Sequence, residues 1–218
     1  MAAAAESPRP PAVIVLARAP QRGRVKTRLA ATVGDDEALA VHRSLLGRTA
    51  ALAAGLVDAC AASGAVAELC IAGEDPLGEC SDLAARYGMR ITRQQGLDLG
   101  ERMHSALAAA LRAGHLPLLL GSDCPALAVR DLLDALAALQ GHDAVFAPAE
   151  DGGYALVGLR RECPWLFQGP AWGGPEVMAQ TRALMRARRL RWAELRTVWD
   201  VDTHADYLRW RALDDAAS

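Results

Sequence analysis

The chain has 218 residues, with 24 lysines and arginines against 26 aspartates and glutamates and a net charge of -2. At 23.1 kDa it is long enough for one domain whose core needs no disulfide or metal staple. The slightly acidic balance argues against a dedicated nucleic-acid binder, and no window approaches the roughly 18 uninterrupted apolar residues of a membrane-spanning helix.

In chain order, the opening MAAAAESPRPP lacks a basic segment ahead of an apolar one. It reads as a disordered tail over residues 1–11, not as a signal peptide, with a single domain over residues 12–218. A cytoplasmic protein is the expectation, and five cysteines without a C-x-x-C pair suit reduced thiols. Residues 12–16 (AVIVL) predict a buried strand. The stretch that follows, ARAPQRGRVKTRLA, sets Arg18, Arg22, Arg24, Lys26 and Arg28 within eleven positions and includes no acid. A loop leaving the carboxyl end of a strand is where open α/β sheets bind ligands. Five cations there call for an anion; the alternative is a solvated surface.

Residues 35–56 carry acids at their start and apolar residues at helical spacing, which predicts the first covering helix. A strand over 65–73, a helix over 77–88, a strand over 89–94 and a helix over 100–114 follow. Residues 115–127 read as a strand ending in a polar turn, and 129–139 as a helix. Residues 142–159 predict two strands joined by a glycine turn, 174–189 a helix, 195–203 a strand, and 204–213 the last helix. This alternation predicts a three-layer α/β/α sandwich around a mostly parallel, mixed sheet.

Two carboxylate-bearing turns fall at predicted strand ends. LLLGSDCP holds Asp123 at the sheet edge, with Pro125 stopping the strand. WDVDTHAD sets Asp200 and Asp202 two residues apart, on one side of a strand if the strand persists. One or two carboxylates from separate turns, completed by phosphate oxygens and water, are what Mg²⁺ or Mn²⁺ requires. Helix capping is the equal alternative for Asp123 and for Asp202 with Thr203. In EDGGYALVG, Glu150 and Asp151 stand beside Gly152 and Gly153, which let a substrate approach the backbone. Asp151 is a candidate to orient or deprotonate an acceptor hydroxyl; a tight hairpin turn explains the same residues. His104 reads as an ordinary partly buried histidine and Cys124 as a packed thiol.

Taken in order, VIVLARAPQRGRVKTRLA, QQGLDLGERMHSAL, LLLGSDCPAL, PAEDGGYALVGL and DVDTHADY resemble a small bacterial family of candidate glycosyltransferases with the GT-A, nucleotide-diphospho-sugar transferase fold, grouped with arsenosugar biosynthesis. A remoter similarity runs to phospholactate guanylyltransferases. The resemblance implies that Ala17, Arg18, Gly23, Lys26 and Arg28 surround a nucleotide, with Lys26 and Arg28 on its phosphates. It implies base contacts from Gln94 or Gln95 and Gly100, metal ligation by Asp123 and Asp202, and an acceptor pocket lined by Trp172, for which a buried core aromatic is the equal alternative. The chain departs from the pattern at Ala17 and Ala19, where many relatives have glycines, and at His204 and Ala205, where relatives have a proline and an acid. It also has Ser122–Asp123 where many GT-A enzymes have Asp-x-Asp. The implied activity is metal-dependent transfer from a nucleotide sugar to a small-molecule acceptor, with Asp123, Asp151 and Lys26 as catalytic candidates. The alternatives are transfer of a nucleotide from an NTP to a phosphorylated acceptor with release of pyrophosphate, and a non-catalytic nucleotide-binding module.

Overall fold

The computed structural model describes residues 9–217. Seven strands form one sheet in the order β3-β2-β1-β4-β6-β5-β7. They are β1 (Pro11–Arg18), β2 (Val66–Ala72), β3 (Arg90–Arg93), β4 (Leu116–Gly121), β5 (Ala144–Pro148), β6 (Tyr154–Leu159) and β7 (Trp192–Glu194). Every pairing is parallel except those of β6, which runs antiparallel to β4 and β5. The mixed three-layer architecture expected from the alternation is the one observed.

The central strand β1 is apolar on both sides because both of its faces are covered. Val13 and Val15 join one core with Leu46, Ala50 and Leu56 of α2 (Asp35–Ala59), Cys80 of α3 (Glu79–Arg86) and Leu132 of α5 (Val129–Ala138). Ile14 and Leu16 point the other way, to Met103 and Leu107 of α4 (Leu99–Arg112) and Met178 of α6 (Val177–Ala187). A third, smaller core sets Trp199, Val201 and Trp210 against Leu29 of α1 (Thr27–Val33) and Leu45. Trp210 belongs to α7 (His204–Ala217). Among the described residues no helix is long and apolar enough to cross a membrane.

Three expectations shift. The tail ends earlier than residue 11: Pro11 already belongs to β1, the Pro10 carbonyl accepts from Leu116 N at 2.9 Å, and Arg9 donates to the Arg160 carbonyl at 2.6 Å. Residues 1–8 lie outside the described residues. The basic loop is shorter than its composition suggests, because α1 starts at Thr27. Residues 195–203 do not form a strand. Strand β7 ends at Glu194, and the chain then leaves the β5 edge: Val198 N bonds to the Pro148 carbonyl, whereas Val201 N bonds to the Asp123 carbonyl at 2.9 Å. That crossing carries Asp200 from one strand end to another.

Candidate active site

The chain winds from β1 outwards to β2 and β3, then returns to place β4 on the other side of β1. The crevice beyond the carboxyl ends of β1 and β4 is therefore a topological switch point, the usual ligand site of such sheets. A cleft of about 790 Å³ opens there, and a narrower cavity of about 240 Å³ adjoins it.

The cationic wall comes from the loop after β1. Arg18, Arg24, Lys26 and Arg28 all line the cleft, joined by Arg102 from α4. Lys26 sits at the start of α1 with φ 48° and ψ 41°, a left-handed conformation that is strained for a residue with a side chain. Only 3% of its side chain is exposed, and Nζ lies 2.7 Å from Asp123 Oδ1 and 2.5 Å from the Val201 carbonyl. Lys26 thus staples the β1 loop to the β4 end and to the crossing segment. Arg28 pairs with Asp202 at 2.8 Å on the outer rim. Among the described residues Arg18 and Arg24 have no ion-pair partner. The two cations expected on phosphates are already paired, while two others in the same loop are free for an incoming anion. Arg22 turns away to Asp35 and Asp36. Behind the loop, buried His42 donates from Nε2 to the Arg18 carbonyl at 3.0 Å, and burial holds its pKa below the usual imidazole value.

The acidic wall is assembled from three separate turns. Asp123 follows β4, Asp151 lies in the β5–β6 turn, and Asp200 lies on the crossing segment; all three line both the cleft and the cavity. Burial, reinforced by the negative charges of Asp151 and Asp123, pushes the Asp200 carboxyl up to about 6. Asp123 and Asp200 line both spaces, whereas Asp202, the second acid expected on a metal, lines the cleft and pairs with Arg28. Asp202 lines only the outer cleft, because the end of β7 at Glu194 removes the strand geometry that would have aimed both acids alike. Thr203 and Asp206, not Asp202, cap α7 through Thr203 N to Asp206 Oδ2 at 2.8 Å. Among the described residues no three His, Cys, Asp or Glu side chains are grouped to hold a metal by themselves. Two hard carboxylates with excess negative charge do fit a divalent cation whose other ligands are phosphate oxygens and water.

Asp151 occupies the turn position weighed from the sequence and also lines the cavity. Its Oδ1 accepts from Gly153 N at 2.8 Å within the turn, while the side chain faces the cavity and Oδ2 has no partner among the described residues. Gly152 has φ +90°, and a Cβ there would lie 1.9 Å from the Pro175 carbonyl oxygen, so the turn needs glycine to admit the loop before α6. Glu150 is not part of the cavity; Arg209 holds its carboxylate at 2.8 and 3.2 Å. Trp172 lines the cavity in ring contact with Tyr154 and Phe167.

The residues expected at a base separate in the same way. Gln94 lines the cleft, its Nε2 donating to the Ala17 and Cys70 carbonyls at 2.9 and 3.1 Å. Gln95 is exposed and lines neither space, and Gly23 makes a loop turn at φ +71° outside both. Gly100 is buried away from the cleft. A Cβ on it would lie 2.3 Å from the Phe167 carbonyl oxygen and 2.4 Å from Trp172 Nε1, so the glycine admits both. His104 is partly buried beside Phe167, as expected, its Nε2 enclosed without a hydrogen-bond partner among the described residues. Burial pushes the Cys124 thiol up to about 11, as a packed thiol should be. Sequence reasoning missed Arg102, whose helical position gave no signal, and undervalued Arg24 and Asp200, which stood in the segments already singled out.

With this geometry established, residues 56–174 match the family described as "Uncharacterized protein conserved in bacteria (DUF2064)", and the chain belongs to it. Among solved structures it is similar to a candidate nucleotide-diphospho-sugar transferase from Desulfovibrio desulfuricans G20, at 34% identity and TM-score 0.76 over 88% of this chain and 82% of that one. It is also similar in fold to 4-diphosphocytidyl-2C-methyl-D-erythritol synthase from Anaerococcus prevotii DSM 20548, at 11% identity and TM-score 0.62 over 95% and 99% of the two chains. A third likeness is to CMP:2-keto-3-deoxy-manno-octonic acid synthetase complexed with CTP, at 13% identity and TM-score 0.57 over 96% and 100%. No curated protein matches the chain. The fold is that of the nucleotide-diphospho-sugar transferase superfamily.

Proposed function

We propose that the chain is a transferase that takes a nucleotide-activated donor, in the first place a nucleotide sugar, and transfers its activated group to a small acceptor. The observation that carries this is the sorting of charge across one cleft: unpaired Arg18 and Arg24 on one wall, Asp123, Asp151 and Asp200 on the other. The donor's diphosphate lies against the arginines, with its base towards Gln94. Asp123 and Asp200 would hold Mg²⁺ or Mn²⁺, which when bound neutralises charge growing on the departing diphosphate. Lys26, through its contact with Asp123, keeps that carboxylate aimed at the cleft. Asp151 orients the acceptor and receives its proton.

The test is thermal stability against nucleoside di- and triphosphates and nucleotide sugars, with and without Mn²⁺, for the wild type and Asp123→Asn. A ligand at about a hundred times its dissociation constant adds roughly 2.7 kcal/mol, or about 5–10 °C for a chain of this size. The expected result is one nucleotide whose stabilisation rises with metal, that increment being lost in the variant. No stabilisation by any nucleotide would sink the proposal. Release of nucleoside diphosphate from the best donor then marks glycosyl transfer, whereas pyrophosphate from a triphosphate marks nucleotidyl transfer.

A further inference from the structure

The cavity of about 240 Å³ that adjoins the cleft differs from it in chemistry. Leu99, Met103, Trp172 and Val177 give it apolar walls, and Asp123, Asp151 and Asp200 line it as well. Among the described residues no lysine, arginine or histidine lines it; Arg18, Arg24, Lys26, Arg28 and Arg102 all belong to the neighbouring cleft. The space is large enough for a small molecule.

A phosphate or carboxylate placed in this cavity would meet three carboxylates, while the nearest cation, Lys26, lies behind the lining and is already bonded to Asp123 and to the Val201 carbonyl, and a metal on Asp123 and Asp200 would be taken up by the donor's diphosphate; such an arrangement disfavours binding of a second anion. We infer that the acceptor is a small molecule without an anionic group, its apolar body packed on Trp172 and Met103 and its hydroxyl turned to Asp151. This rests on the transferase reading above and narrows it: a phosphorylated acceptor does not suit the cavity. The hydroxyl oxygen bonds to the donor's anomeric carbon as that carbon's bond to the diphosphate oxygen breaks. The nucleoside diphosphate leaves with the electron pair, and the hydroxyl proton passes to Asp151 and then to water.

Three probes that share one body isolate the charge: 2-phenylethanol, 2-phenylethylamine and 2-phenylethyl phosphate. Their affinities for the full chain are measured by ligand-observed NMR, in EDTA and again with Mg²⁺ plus the best-binding nucleoside diphosphate. The alcohol and the amine are expected to bind about ten-fold or more tighter than the phosphate ester under both conditions. Asp151→Asn and Asp200→Asn should narrow that gap, and Trp172→Ala should weaken all three probes. Equal or tighter binding of the phosphate ester overturns the inference, as does no binding by the alcohol and amine. Either result leaves nucleotide binding untouched. Failure of every nucleotide to bind would instead remove the donor site while leaving the probe ranking in EDTA readable.

Discussion

The two walls of the cleft are built differently. The cationic wall comes mostly from one continuous stretch, residues 18–28, in which some cations are bound internally and others are left free. The acidic wall is made of single residues from three turns far apart in the chain, brought together by the end of β4, the β5–β6 hairpin and the crossing segment. In the first wall Lys26 is fixed by its buried contacts, but Arg18 and Arg24 are held by no ion pair, so the loss of either should leave the fold intact. The second depends on backbone geometry, so its weak points are the residues that shape the turns.

Gly152→Ala should therefore be the most damaging single change. The glycine has φ +90°, and the added methyl would meet the Pro175 carbonyl oxygen at 1.9 Å. Both the conformation and the contact oppose any side chain, and a cost of roughly 3 kcal/mol or more is expected. Denaturant unfolding measures it. A loss under about 1 kcal/mol would mean that the turn can move and that the acidic wall is no more exacting than the basic one.

The difference between the walls also accounts for what could be read in advance. The sandwich was legible because helical and strand periodicities alternate strongly, and the basic loop because its charges are contiguous. Asp123 was legible because Pro125 ends a strongly apolar run beside it. Asp200 and Asp202 could be found but not told apart: their difference depends on β7 ending at Glu194 and on a hydrogen bond from Val201 N to the Asp123 carbonyl. Glu150 was drawn towards the site by its neighbour Asp151, yet it faces Arg209, 59 positions on, a pairing no local pattern reveals. Gly100 was legible as a glycine that something needs. What presses on it is the Phe167 carbonyl and Trp172, from the far half of the chain.

A medium effect tests the electrostatics of the acidic wall. Burial and the charges of Asp151 and Asp123 raise the Asp200 carboxyl to about 6. A raised carboxylate binds its proton more tightly in the folded chain than in the unfolded one. Its stabilising contribution is then present at low pH and is lost as pH rises from about 4 to 6. In EDTA, Asp200→Asn should raise stability at pH 7.5 by about 1–2 kcal/mol, allowing for solvent screening, and should flatten the melting temperature over that window. An unchanged profile would show that the three acids are too far apart to repel, and the charge contrast between the walls would shrink accordingly.

The smallest effect on stability belongs to the cationic wall and is informative for that reason. Arg24 lines the cleft and, among the described residues, has no ion-pair partner, so Arg24→Ala removes neither a packed group nor an internal bond. Stability should stay within about 0.5 kcal/mol of the parent. If Arg24 waits for the donor's phosphates, the same substitution should weaken binding of the best nucleoside diphosphate by about 1.5–3 kcal/mol for a lost charged hydrogen bond, roughly ten- to a hundred-fold. Calorimetric titration at fixed ionic strength separates the two quantities. Unchanged affinity with unchanged stability would make Arg24 an ordinary solvated residue, leaving Arg18 and Arg102 to hold the diphosphate.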